Sequence, residues 1–277
     1  MQLTLDQGPF LILSDFHIGH QATLVTDIEL VAPLFSKEQT VIFNGDTFEM
    51  RLKSSRERAL HHAKRLKQII SDCGAQAQFI CGNHDPMISG TSHAEFVDQA
   101  ILITHGDILY HDVAPWSLNA RLYDRAHRSE LHRLPAAEHS DLTSRLGALR
   151  RATLAYDVEH VTAPPGIIGS LVHFVETTWP PWRPISILKS WAEVPARAEA
   201  LARQFRPKLR YLIIGHTHKA GIWRRGDLTI INTGAVMRGF GRQAILFEDS
   251  KLTVRQIDYR KNKFQLGKTI QSLPVNS

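Results

Sequence analysis

The sequence predicts an α/β fold with a largely parallel central sheet, and two observations carry that reading. Short apolar, β-branched runs recur, each ended by Gly, Asn or Asp, which is the pattern of strands buried on both faces. Stretches with helical spacing separate the first of them, giving a β-α-β-α-β order.

The first run, Phe10-Leu11-Ile12-Leu13, leads into Ser14-Asp15. Thr40-Val41-Ile42-Phe43 leads into Asn44-Gly45-Asp46, and Gln78-Phe79-Ile80-Cys81 into Gly82-Asn83-His84-Asp85. Between these two, Ser54 to Cys73 carries Ala59, Ala63, Leu66, Ile69 and Ile70 at helical spacing, with Gly74 as the stop. Glu95 to Thr104 reads as a hairpin whose second strand delivers His105-Gly106-Asp107. From Val113 to Arg206 helical pattern replaces strand pattern. Ala163-Pro164-Pro165-Gly166 and the prolines flanking Trp182 are expected to break any helix there. Residues 113–206 therefore read as a helical insertion, a lid or cap, within a single domain spanning 1–277. Strands resume with Arg210 to Ile214, which ends in Gly215-His216-Thr217-His218. Hairpins follow around Arg225-Gly226-Asp227 and Glu248-Asp249-Ser250, and the tail after Asp258 reads as loose.

Composition narrows the function classes. The chain has 277 residues, 43% hydrophobic and 22% charged, which is ordinary for a globular protein. Its apolar runs fall far short of the roughly 20 residues that a transmembrane helix needs. Met1 to Asp6 lacks the basic-then-apolar order of a secretory signal. Only Cys73 and Cys81 occur, too few for a disulfide framework, so a reducing, cytoplasmic setting is expected. Thirty-three basic residues against 27 acidic give a net charge of +6. That balance suits an anionic partner such as a phosphate ester, nucleic acid or acidic lipid, or it is simply a basic surface.

The 15 histidines point further. Five strand ends carry metal-type ligands: Asp15-x-His17, Gly45-Asp46, Gly82-Asn83-His84-Asp85, His105-Gly106-Asp107 and Gly215-His216-x-His218. Loops at strand ends form the ligand crevice of open α/β sheets. Carboxylate oxygen and imidazole nitrogen together suit divalent first-row metals.

In this order the motifs resemble the calcineurin-like metallophosphoesterase family, whose pattern runs D-x-H, G-D-x-x-D, G-N-H-D/E, a lone H, and G-H-x-H. The resemblance implies a four-layer α/β/β/α sandwich holding two divalent ions, manganese foremost, with iron, zinc, nickel or cobalt as alternatives. Carried over by position, Asp15, His17 and His218 would bind one ion, and Asn83, His105 and His216 the other. Asp46 would bridge them, and His84 would stabilise the phosphoryl group or protonate the leaving oxygen. The implied chemistry is hydrolysis by a water shared between the ions. Glu49 stands where the family commonly has Asp, and is expected outside the ligand set.

Ser14-Asp15-Phe16-His17 and Gly45-Asp46-Thr47-Phe48-Glu49 look most like the branch containing UDP-2,3-diacylglucosamine hydrolase, which also carries a helical insertion after the lone histidine. That branch has Arg at the position of His84. The resemblance thus implies an anionic phosphoester substrate, a phosphodiester or the pyrophosphate of a UDP-sugar lipid. Phe174, Trp179, Trp182, Ile185, Ile187, Leu188 and Trp191, among Arg183 and Lys189, would either touch lipid at the inner membrane face or pack the insertion on the core. Arg51, Lys53, Arg56, Arg58, Lys64, Arg65 and Lys67 would steer the anion or line a solvated helix face. The alternatives of the same fold are a nuclease, a protein phosphatase, a cyclic-nucleotide phosphodiesterase and a non-catalytic scaffold.

Overall fold

The structure, a computed structural model, describes residues 2–4, 8–51, 53–155 and 180–275. The apolar runs form β2 (Phe10–Leu13), β3 (Thr40–Asn44) and β4 (Gln76–Ile80), paired in parallel after β1 (Gln2–Thr4). Helix α1 (Lys53–Asp72) links the last two. Then follow β5 (His93–Phe96), β6 (Ile101–Thr104), α2 (Ala120–His132), α3 (Leu142–Leu154) and α4 (Trp182–Phe205). The chain closes with β7 (Tyr211–Ile214), β8 (Gly221–Arg225), β9 (Leu228–Asn232), β10 (Gln243–Glu248), β11 (Lys251–Arg260) and β12 (Lys263–Pro274).

These strands make two six-stranded sheets, ordered β12-β11-β10-β2-β3-β4 and β1-β5-β6-β7-β9-β8. Alternation along each strand decides what every side chain meets. Phe10, Ile12, Ile42 and Ile80 of the first sheet pack between the sheets against Ile101, Ile103, Ile213 and Ile231 of the second. Leu11, Leu13, Val41, Phe43 and Phe79 face outward onto Ala59, Ala63, Leu66 and Ile70 of α1. Leu102, Leu212, Ile214 and Ile230 face the other way, onto Val194, Ala198, Leu201 and Phe205 of α4. The result is the four-layer α/β/β/α order, with every central strand apolar on both faces.

Three expectations are corrected. The largely parallel central sheet read from the apolar runs is instead two mixed sheets, as the four-layer resemblance implies: β10, β11 and β12 pair antiparallel in one, as do β5–β6 and β8–β9 in the other. A strand covered on both faces reads the same in either arrangement. The tail after Asp258 is not loose. It turns at Lys261–Asn262 and returns as β12, burying Phe264 and Leu273. Exposed polar residues along it, Lys263, Gln265, Lys268 and Thr269, hid this strand. The prolines at 181 and 184 do not break a helix but open one, Pro181 capping α4 and Pro184 lying in its first turn, where no intrahelical N–H is needed.

The stretch 113–206 also contributes to the sandwich itself, since α4 supplies the fourth layer. In α2 the buried face is Tyr123 and His127, whereas Leu122, and Leu118 just before the helix, are exposed. Ala163-Pro164-Pro165-Gly166, Phe174 and Trp179 lie outside the described residues. Among the described residues, no helix is long and apolar enough to cross a membrane.

Candidate metal centre

The five motif loops leave β2, β3, β4, β6 and β7 at neighbouring strand ends and meet in one cleft between the sheets. They are stitched together by backbone. Asp15 N–H donates to Gly45 O (3.1 Å), His17 N–H to Asp46 O (2.9 Å), Met50 N–H to His84 O (2.9 Å) and Gly215 N–H to His105 O (2.8 Å). Asn44 Nδ2 donates across to Thr104 O at 2.9 Å, joining the two sheets at the cleft. Five residues there hold the left-handed backbone that non-glycine residues rarely adopt: Asp15 (φ 54), His17 (48), Asp46 (51), His216 (65) and His218 (59). Such strain persists where surrounding structure enforces it, characteristically at functional sites. Two glycines permit the crowding. A Cβ at Gly45, itself at φ +80, would strike the His105 ring, and one at Gly215 would strike the Asp15 carboxylate.

Two groups of donors face one another, with ligand atoms inside each group within 4.8 Å: Asp15, His17 and His218, and Asp46, His105 and His216. In the first, His17 Nε2 and His218 Nε2 are 3.0 Å apart, and His218 Nε2 is 3.3 Å from Asp15 Oδ1. In the second, His105 Nε2 lies 3.2 Å from both Asp46 Oδ2 and Asn83 Oδ1. Donors bound to one ion at about 2.1 Å stand about 3 Å apart, so these spacings fit divalent cations. Asp46 Oδ2 also lies 3.8 Å from His17 Nε2, between the groups. Its other oxygen is taken, because Asp46 Oδ1 accepts the His84 N–H at 2.7 Å.

Hydrogen bonds behind the ligands select which ring nitrogen faces inward. His105 Nδ1 donates to Asn44 O (3.0 Å), leaving Nε2 for the cleft. His216 Nε2 donates to Val113 O (2.7 Å), leaving Nδ1. His216 N–H also donates to the Asp15 carboxylate at 3.1 Å, fixing that side chain.

Charge follows from burial. Desolvation lowers His17 to about 4 and His216 to about 3, so both rings are neutral near pH 7 and carry a lone pair that could meet a cation. His105 is buried too, but the Asp46 carboxylate outweighs that and holds its proton well above the usual imidazole range. Burial pushes Asp15 upward, yet hydrogen bonds to His17 and His218 win and lower it. Asp46 is likewise lowered, with His105 and His84 overcoming desolvation. The His105 proton sits where a cation's charge would lie.

His84 stands at the edge of the cleft. Its Nδ1 donates to Glu49 Oε2 at 2.8 Å, and its Nε2 lies 3.9 Å from Asp46 Oδ2. Glu49 in turn accepts from Arg51 Nε at 3.1 Å and Arg51 N–H at 3.3 Å. Burial would raise Glu49, but Arg51 and His84 hold it well below the ordinary carboxylate range. His17, Glu49 and His84 form a third group that could hold a cation, although it shares His17 with the first and Glu49 is already paired.

Sequence reasoning left Glu49 without a partner and gave Asp85 no role. Asp85 is fully buried and accepts from the backbone N–H of Asp46, Thr47, Phe48 and Gly82 at 2.7–3.2 Å, tying the β3 and β4 loops together. The final Asp of the G-N-H-D run is the signal that could have found it. Asn232 braces the G-H-x-H loop, donating to Gly215 O (2.8 Å) and Thr217 Oγ1 (3.0 Å). Among the basic residues near α1, Arg51 reaches the cleft through Glu49, whereas Arg65 pairs with Glu29 on the surface.

Four layers with an Asp/His cleft at the strand ends define a metal-binding α/β sandwich protein. A family described as calcineurin-like phosphoesterase matches residues 8–220, and the chain belongs to that family. Membership supports metal-dependent phosphoester hydrolysis in general terms. No curated protein matches the chain. Among solved structures it is similar to Vps29 of Chaetomium thermophilum, at 10% identity over 98% of this chain and 97% of that one, with a TM-score of 0.47. A conserved uncharacterized protein of Streptococcus pneumoniae, described as a predicted phosphoesterase, is 13% identical over 98% and 99%, with a TM-score of 0.38. A cold-active protein-tyrosine phosphatase of a Shewanella species is 14% identical over 98% and 82%, with a TM-score of 0.37.

Proposed function

We propose that the chain hydrolyses a phosphodiester or pyrophosphate bond in this cleft. Asp15, His17 and His218 would hold one divalent ion and Asn83, His105 and His216 a second, with Asp46 serving both. The observation that carries this reading is a pair of Asp/His groups, each with its donor atoms within 4.8 Å of one another, delivered to one cleft by strained loops. Two such cations acidify a shared water and offset charge on the phosphoryl oxygens. Manganese is our first choice for both, ahead of iron, zinc, nickel or cobalt.

The chain's own groups supply the rest. Glu49 fixes the His84 ring through Nδ1, so that Nε2 meets the phosphoryl group or protonates the leaving oxygen. Neutral His17 and His216 are ready ligands at neutral pH. For the substrate we favour the pyrophosphate of a UDP-sugar lipid. Trp182, Ile185 and Leu188 are 45%, 67% and 60% exposed along α4, an apolar stripe suited to lipid contact at the inner membrane face. Both cysteines are free, in keeping with a cytoplasmic setting.

Turnover of bis-p-nitrophenyl phosphate tests the reaction class. It is expected to vanish on chelation and return with Mn2+; activity that survives chelation would contradict the proposal. A panel of UDP-2,3-diacylglucosamine, cyclic nucleotides and single-stranded DNA then tests the substrate. Fastest turnover of either nucleic-acid class would replace the lipid assignment, and turnover of nothing would favour a scaffold.

A further inference from the structure

We infer that the helical insertion completes one of the two cation positions, the one at Asp46, His105 and His216, by holding His216 through the carbonyl of Val113. This rests on the two-cation reading above and goes beyond it, because it makes the two positions unequal.

Val113, the first residue of the insertion, is fully buried and sits at φ +61, a conformation that β-branched residues avoid. That backbone turns its carbonyl onto His216 Nε2 at 2.7 Å. The bond settles which nitrogen of His216 faces the cleft. The Val113 side chain packs with Tyr123 of α2 and Leu149 of α3, so both helices hold the strained residue in place. The Trp116 ring lies 5.3 Å from the His216 ring, and Trp116 O accepts from Arg183 Nε of α4 at 3.0 Å. Arg150 of α3 donates to Pro86 O at 2.6 Å, three residues past Asn83. All three described helices of the insertion thus brace the same side of the cleft.

The other group leans elsewhere. Asp15 O accepts the Val236 N–H at 3.0 Å, and the His218 ring packs 5.2 Å from Phe240, both in the loop after β9. Trp191 Nε1 of α4 donates to Thr217 O, between the two histidines, at 2.8 Å. The insertion therefore touches the G-H-x-H loop throughout, but fixes the ring of His216 alone.

The test is an equilibrium titration of metal-free protein with Mn2+, comparing wild type, Leu149→Ala and Leu66→Ala. Leu66 lies in α1 on the opposite face of the sandwich, so its variant controls for general core loss. Wild type and Leu66→Ala are expected to bind two ions alike. Leu149→Ala is expected to bind one ion as wild type does and the second about tenfold more weakly, the scale of a lost outer support. Two wild-type affinities in Leu149→Ala, or equal weakening of both, would overturn the inference while leaving the two-cation reading intact. Wild type that binds no Mn2+ would overturn both. Should Leu149→Ala not fold, hydrogen exchange of wild type decides: amides of α2 and α3 must slow as the second ion binds, and unchanged exchange there overturns the inference.

Discussion

Glu49→Gln isolates the charge that links Arg51 to His84. The side chain is 4% exposed and keeps its shape on substitution. What changes most are the charge-assisted contacts with two side chains, His84 through Nδ1 at 2.8 Å and Arg51 through Nε at 3.1 Å and Nη2 at 3.4 Å. Each falls from about 1.5–3 kcal/mol to the about 0.5–1.5 kcal/mol of a neutral bond. The Arg51 side chain is 22% exposed, so water recovers part of its share. The net loss is then about 1–2 kcal/mol, a fall in Tm of a few degrees at about 2–4 °C per kcal/mol. Activity should suffer more than stability, because His84 loses its orientation: kcat on bis-p-nitrophenyl phosphate should drop about 10–100-fold. Steady-state kinetics with metal analysis on the same sample give the answer. Wild-type kcat would refute the orienting role. Loss of one metal ion would show Glu49 to be a ligand instead, as the His17–Glu49–His84 group allows.

Metal binding should strengthen with pH. Asp46 keeps the His105 proton on above the usual imidazole range, so at and below neutrality an incoming cation must displace it. The same raised value stabilises the metal-free fold at low pH, and that stabilisation fades as pH climbs through the folded value. His17 and His216, lowered to about 4 and 3, add no proton to the exchange near pH 7. One proton released per chain gives about a tenfold gain in affinity per pH unit, measurable by calorimetry in buffers of different ionisation enthalpy; a flat profile would contradict the assignment. Gly215→Ala drives a Cβ into the Asp15 carboxylate and should weaken metal binding while circular dichroism stays native; unaltered affinity would show the loop to be more yielding than described. Asp85→Asn turns an amide toward four backbone N–H groups. Burial and the Asp46 charge raise Asp85 to about 7, so the loss is one of acceptors: the amide nitrogen leaves two buried N–H groups unpaired, at about 2–4 kcal/mol, and an unchanged urea midpoint would contradict the tie between the two loops.

The four-layer order and the meeting of the motif loops in one cleft were legible in the sequence; the division of strands between the two sheets was not. Gly, Asp, Asn and His punctuate apolar runs at Asp15, Asp46, Asn83, His105 and His216, and such punctuation survives in a linear reading because strand ends are local. Asp15, His17, Asp46, Asn83, His105, His216 and His218 converge in one cleft of the structure. Sheet membership was not legible. Ile12 and Ile213 look alike in sequence, yet belong to different sheets and meet only in the core between them. The strand at Lys263–Pro274 was masked by the exposed polar residues along it, and the start of α4 by prolines that also mark helix breaks. The partners of Glu49 and His216 were invisible for a different reason. Glu49 and His84 are 35 positions apart, and Val113 and His216 are 103 apart, and no local pattern encodes either pairing.

The most direct test of the whole account is the metal content of fully loaded, gel-filtered protein, wild type beside Asp46→Asn, measured by elemental analysis. Two divalent ions per chain in wild type and fewer in the variant are the expected result. A wild type without stoichiometric metal, or a variant that keeps both ions, would contradict it.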